Sequence, residues 1–246
     1  MLSKGGVRME RYYKIGIWLF GLGALAYLIQ LPIQQTDTTW ASWSLPLSGK
    51  VIVLDPGHGG PDGGAVGKDD TLEKDIALNV SKQLQRYLQQ AGALVYLTRE
   101  TDQDLASEDT KGLSRRKSED IRNRLEFIES KDADFFLTIH LNALPSERWR
   151  GAQTFYYPAF DENRHLARMV QAEIRRNLEN TNREALQIDG IYLLKHSETP
   201  GALVEIGFLS NVEERELLKS EEYQEQMAAS IYQGILRYVT EEIEED

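Results

Sequence analysis

Beyond residue 49 the chain alternates short apolar runs with longer stretches in which apolar side chains recur every third or fourth position. The short runs read as buried strands, and the periodic stretches as helices that turn one face inward. Strands are therefore expected over residues 50–54, 94–98, 135–139, 153–157, 191–195 and 202–206. A helix is expected over 72–90, where Ile76, Val80, Leu84 and Leu88 stand four apart and Gly92 is placed as its stop. A second is expected over 114–129, with Ile121, Leu125 and Ile128 on one face, and others over 161–178, 212–218 and 221–239. Such alternation predicts an α/β fold, a single domain with a twisted, largely parallel central sheet flanked by helices.

Residues 15–33 break this pattern, being apolar nearly throughout and free of charge. A helix of that length crosses a hydrocarbon core of roughly 30 Å. The basic residues Lys4, Arg8, Arg11 and Lys14 all precede it, which places the N-terminus in the cytoplasm and the following domain outside. A transmembrane anchor fits, and so does a signal segment cut near Ala24-Leu25-Ala26. The apolar run continuing through Tyr27, Leu28 and Ile29 favours the anchor. The chain is thus expected to divide into a basic cytoplasmic segment (1–14), a transmembrane anchor (15–33), a linker (34–49), the main domain (50–240) and a solvated acidic tail (241–246). The linker is expected to rest on the domain near Trp40 and Trp43.

Charge and composition narrow the chemistry. The net charge is −11, and it is −14 beyond residue 33, so phosphate backbones are poor partners and no nucleic acid is expected. There are no cysteines, which excludes disulfides, thiolate ligands and cysteine nucleophiles. Any metal must be held by histidine and carboxylate.

The segment VLDPGHGGPDGGAVG runs from the first strand into a loop with six glycines between Gly57 and Gly67, and His58 sits at its mouth. Ligands of α/β sheets collect beyond the carboxyl ends of strands, where this histidine is expected. The loop has neither the Gly-Lys-Ser/Thr nor the GxGxxG pattern of a phosphate cradle. Glu73, near the start of the next helix, would by itself serve as an N-terminal acid facing the helix dipole. His140 closes the strand in FFLTIHLNA, and two imidazoles with one carboxylate make a ligand set used by catalytic zinc. Glu205 lies inside the apolar strand ALVEIG, where a carboxylate is costly to bury without a partner. It reads as a general base beside the metal, with a salt bridge to a neighbouring helix as the alternative. His165 is expected on the solvated side of its helix, and His196 in a loop that could border the cleft. Neither HExxH nor GxSxG occurs.

With these residues in place, the chain resembles the zinc N-acetylmuramoyl-L-alanine amidases of bacterial cell-wall turnover. The resemblance covers about residues 49–239 and is carried by LDPGHGGPDGGAVG, LEKD, LTRE, TIHLNA and LVEIGFLSN. It implies one zinc ion held by His58, Glu73 and His140, and Glu205 as the catalytic glutamate. Asn142, two residues past His140, is a candidate for orienting substrate. WSLPLSGK, TKGLSRRKSEDIRNR, RRNLENTNREA and AASIYQGILRY are similar to members of the family that serve sporulation. That similarity implies a substrate of peptidoglycan glycan strands with peptide stems, in the spore cortex between forespore and mother cell. It also implies coupling to a muramic acid deacetylase that then forms muramic-δ-lactam, needed for germination. Only twelve residues separate His140 from Gln153, too few for the autoinhibitory helix of some relatives. Restraint is therefore expected from an activating partner protein or from the timing of expression.

Overall fold

A computed structural model describes residues 6–30 and 45–243. They form two compact units, Met1–Ser44 and Leu45–Asp246. In the first, helix α1 runs over Gly6–Gln30, so Arg8, Arg11 and Lys14 belong to the same helix as the apolar run. Trp18, Leu19, Phe20 and Leu22 of that helix are exposed. Among the described residues no helix is long and apolar enough to cross a membrane. The transmembrane expectation is thus not carried by the structure: the helix starts within the basic segment, and residues 31–33 of the expected span lie outside the described residues. Trp40, Trp43 and residues 244–246 also lie outside them.

The second unit is built on a six-stranded sheet. Its strands are β1 (Val51–Pro56), β2 (Leu94–Leu97), β3 (Phe135–Asn142), β4 (Gln153–Tyr156), β5 (Leu186–Gln187) and β6 (Gly201–Phe208), in the order β2-β1-β3-β6-β4-β5. Strands β2, β1, β3 and β6 are parallel; β4 pairs antiparallel with β6 and parallel with β5. Helices α2 (Glu73–Gln90), α3 (Leu113–Glu129), α4 (Asp161–Leu178), α5 (Tyr192–His196), α6 (Val212–Lys219) and α7 (Glu221–Thr240) complete the fold.

Alternate residues of each strand enter two separate apolar layers. Ile52, Leu54, Leu137, Ile139, Val204 and Ile206 join a large cluster with Ile76, Leu84, Val170 and Ile231 of α2, α4 and α7. Val53, Phe136 and Leu203 point the other way, into a smaller cluster with Ile128 of α3 and Leu193 of α5. Asp55, Thr138, His140 and Glu205 lie in phase with this second set, so the polar chemistry occupies the thinner side of the sheet, towards its carboxyl end.

Three expectations are corrected. Residues 191–195 are not a strand: Leu193 and Leu194 are both buried, as on a helical turn, and a short apolar run does not separate the two states. His165 is buried beside Tyr238, and its Nε2 donates to the Glu241 carbonyl, 3.2 Å. In α3 the expected face does pack inward, with Ile128 fully buried and Ile121 and Leu125 half-buried against the same cluster, while Asp120 and Arg124 are buried beside them. The folded unit also starts earlier than residue 50, because Leu47 is fully buried and its amide donates to the Ala91 carbonyl.

Candidate active site

Strand β1 ends in the glycine-rich loop, and the Gly57 amide donates to the Ile139 carbonyl of β3, keeping the loop over that strand. A β-carbon on Gly57 would stand 2.4 Å from the His140 ring, and one on Gly64 would stand 2.5 Å from Glu73 Oε2. Glycine at these points lets the loop close on two side chains that the site needs. His58 follows in the left-handed region at φ 60°, a conformation that costs a side-chain-bearing residue about 1 kcal/mol or more.

His58, Glu73 and His140 each bring a ligand atom within 4.8 Å of the others. Their imidazole rings stand edge-on, with centroids 5.0 Å apart. His140 Nδ1 lies 2.9 Å from Glu73 Oε1, and His58 Nε2 lies 3.3 Å from Glu73 Oε2. Glu73 is buried at the start of α2 and also accepts from the Ala65 and Leu141 amides, at 2.6 and 2.9 Å. Burial works against its charge, but the hydrogen bonds from His140 and His58 hold its carboxyl far below the usual range. The carboxylate is therefore ionised and fixed, as a ligand must be.

The other ring nitrogen of His58 is committed: Nδ1 lies 2.8 Å from Asp62 Oδ2. A carboxylate there keeps a proton on Nδ1, so that Nε2, the nitrogen beside Glu73, is the one left to give up its proton and act as a ligand. Burial opposes protonation of His58, yet Glu73 and then Asp62 outweigh it and raise its pKa. Asp62 is in turn bonded to Lys117, 2.6 Å.

Glu205 is the register partner of His140 across β3 and β6, so their side chains share a face. Its Oε2 is buried and has no hydrogen-bond partner. Burial, helped by the negative charge of Glu73 and opposed by His140, pushes its pKa up to about 7. Among the described residues no salt bridge to a neighbouring helix satisfies it, and a buried oxygen whose charge neighbours are His140, Glu73 and His58 is where a water or ion would be held. Two nitrogens and one oxygen, without sulfur, suit zinc. The residues present fit the metal that the resemblance implies.

Beside the cluster lies a cavity of about 210 Å³, lined in part by His58, His140, Lys117, Ile121 and Leu193. Asn142 sits beyond a register shift in the β3–β6 pairing, and its carbonyl accepts from the Leu209 amide. His196 is exposed at the end of α5 and packs on Tyr192. Sequence reasoning passed over Asp62, Asp55, Arg99 and Arg124. All four sit in or next to segments with a visible signal: Asp62 four residues after His58, Asp55 before the Pro-Gly turn, Arg99 in LTRE, and Arg124 in the polar stripe of α3.

The chain belongs to the N-acetylmuramoyl-L-alanine amidase family, whose model matches residues 52–237. It is 54% identical over 233 residues to the germination-specific N-acetylmuramoyl-L-alanine amidase of Bacillus subtilis (strain 168), covering 95% of this chain and 98% of that protein. Among solved structures it is similar to the CwlD amidase from Clostridioides difficile in complex with the GerS lipoprotein, with 42% identity and a TM-score of 0.77. That match covers 78% of this chain and all of the other. The N-acetylmuramoyl-L-alanine amidase AmiC2 of Nostoc punctiforme matches at 34% identity and a TM-score of 0.66, over 78% of this chain and 98% of that one.

Proposed function

We propose that this chain is a zinc-dependent amidase that cleaves the bond between N-acetylmuramic acid and L-alanine in peptidoglycan, in the spore cortex, ahead of germination. The observation that carries the reading is the convergence of His58, Glu73 and His140 opposite the unpartnered Oε2 of Glu205. When bound, zinc would supply a Lewis acid that polarises the scissile carbonyl and acidifies a water. His58, Glu73 and His140 would hold the ion, and Asp62 would keep His58 in the ligating tautomer. Glu205, buried and with Oε2 unpartnered beside the cluster, is poised to take a proton from the attacking water and return it to the leaving alanine nitrogen. The neighbouring cavity would receive the group next to the scissile bond, and Asn142 is assigned to its orientation.

The cortex role rests on the likeness to the germination-specific enzyme. On this reading the reaction precedes a deacetylase that consumes the stripped muramic acid. The solved complex of the C. difficile amidase with a lipoprotein supports a protein partner for this chain, and the activating role would fall to that partner. The basic flank and the exposed apolar side chains of α1 support attachment at a membrane surface, and the cortex reading sets the domain between forespore and mother cell. Membrane fractionation with protease protection of intact cells checks this arrangement.

The principal test incubates the purified full chain with peptidoglycan, with chelator and with zinc restored, and reads products by mass spectrometry. Free stems beginning at L-alanine, lost on chelation and regained with zinc, are expected. Cleavage within the peptide, or activity indifferent to chelation, would overturn the reading.

A further inference from the structure

Two arginines lie buried near the donor cluster, Arg99 at 1% and Arg124 at 3% exposure, and Arg124 also lines the cavity. Arg99, just after β2, donates to four backbone carbonyls of three segments. Its Nε reaches Pro56 at 3.0 Å, Nη2 reaches Gly57 at 2.9 Å and Lys74 at 2.8 Å, and Nη1 reaches Thr101 at 3.1 Å, so that four carbonyls share its fork. Arg124, from α3, donates to Pro56 at 2.7 Å and to the carbonyl of His58 itself. Three consecutive carbonyls, 56 to 58, therefore point into guanidinium groups, and Arg99 joins this loop to the residue after Glu73.

The arginines are themselves held. Asp55 accepts from Arg124 at 2.7 Å and Thr98 at 2.6 Å on one oxygen, and from Thr138, two residues before His140, at 2.7 Å on the other. Asp120 accepts from Arg124 Nε at 2.9 Å. One buried network thus ties together the segments that carry His58, Glu73 and His140. It also fixes His58 in its left-handed conformation, which the loop alone does not favour.

We propose that Arg99 and Arg124 are positioning residues that preorganise the metal site by clamping the carbonyls beside its ligands, and that they thereby set its affinity for zinc. This rests on reading the three-residue cluster as a zinc site. The sign of the effect separates positioning from charge. Two buried cations repel a divalent ion through space, so by charge alone a neutral replacement of Arg99 would tighten zinc. Loss of a rigid fork leaves carbonyls unpaired and ligands free to drift, which weakens zinc whether or not the charge stays.

The test measures zinc affinity of the purified full chain by competition with a chromogenic chelator, for wild type, Arg99→Lys, Arg99→Met and Arg124→Lys. Circular dichroism and melting of the chelated forms report folding separately. All three variants are expected to bind zinc about tenfold or more weakly. A folded Arg99→Lys or Arg124→Lys with wild-type affinity, or a folded Arg99→Met that binds more tightly, overturns the proposal; lower melting points with unchanged affinity would show a merely structural role. If the variants do not fold, hydrogen exchange on the chelated wild type decides. Protection of the Gly57, Gly59 and Gly60 amides without metal supports preorganisation, and free exchange refutes it. A wild-type chain that binds no zinc would instead refute the zinc reading itself.

Discussion

At the scale of single residues, Glu205 shows how the site trades stability for chemistry. Its pKa rises from 4.5 to about 7, chiefly because burial penalises the charge. Between those values the folded chain keeps a proton that the unfolded chain has lost. Stability of the chelated protein therefore falls as pH rises through that window and levels off above it. Glu205→Gln removes the penalty. It should stabilise the chelated protein by on the order of 2–3 kcal/mol at pH 8 and by little at pH 5, while abolishing turnover and sparing zinc binding. Thermal melts at the two pH values check this, and an equal shift at both would show that burial of the charge is not the cause. Glu205 was legible because a lone carboxylate in an apolar strand is conspicuous. Asp62 was not, because an aspartate between a proline and a glycine reads equally as a turn residue, and only the fold turns it towards His58 Nδ1.

Among elements, legibility followed how strongly packing obeys pattern. The helix over Asp161–Leu178 has the bounds its spacing predicts, since Leu166, Val170 and Ile174 are all fully buried. Helix α3 keeps its apolar face, but its buried positions also include Asp120 and Arg124. Of its four arginines only Arg124 is buried, and nothing local distinguishes it from Arg115, Arg116 or Arg122. Helix α6 illustrates the same point: Glu214, one of several acids in VEERELLK, is buried and accepts from the Gly151 and Phe208 amides at 2.8 and 2.9 Å. It thereby ties the end of β6, and the strand that carries Glu205, to the loop before β4. Glu214→Ala leaves two buried amides unpaired and should cost about 2–4 kcal/mol in urea unfolding. The exposed neighbour Glu216 replaced by alanine should change stability by no more than about 0.5 kcal/mol. Equal effects at the two positions would mean that Glu214 is not a brace.

On the scale of the whole molecule, the question is where the folded unit begins. The apolar-to-polar pattern sets the first strand at residue 50, and a reading confined to pattern treats everything before it as linker. The structure extends the unit to Leu45. Leu47 is fully buried in the same cluster as Ile52 and Leu88, its amide donates to the Ala91 carbonyl, and the Ser48 amide closes a turn onto Leu45. The turn packs against Gly92, whose φ of 96° and lack of a side chain matter here, since a β-carbon there would stand 2.7 Å from Leu45. The glycine that stops α2 thus also receives the entry segment, and two leucines around one proline, with serines on either side, are too few to give a periodic signal. A chain beginning at Leu45 should melt within a degree or so of one beginning at Met1 under chelation, with the same zinc affinity. One beginning at Lys50 loses the buried leucine and its backbone bond, and should be less stable by about 2–5 kcal/mol. Because that segment braces the start of β1 and the end of α2, at the opposite end of those elements from His58 and Glu73, zinc affinity of the fraction still folded should not change. Weakened zinc binding in step with the lost stability would show instead that the entry segment and the metal site are coupled through the core.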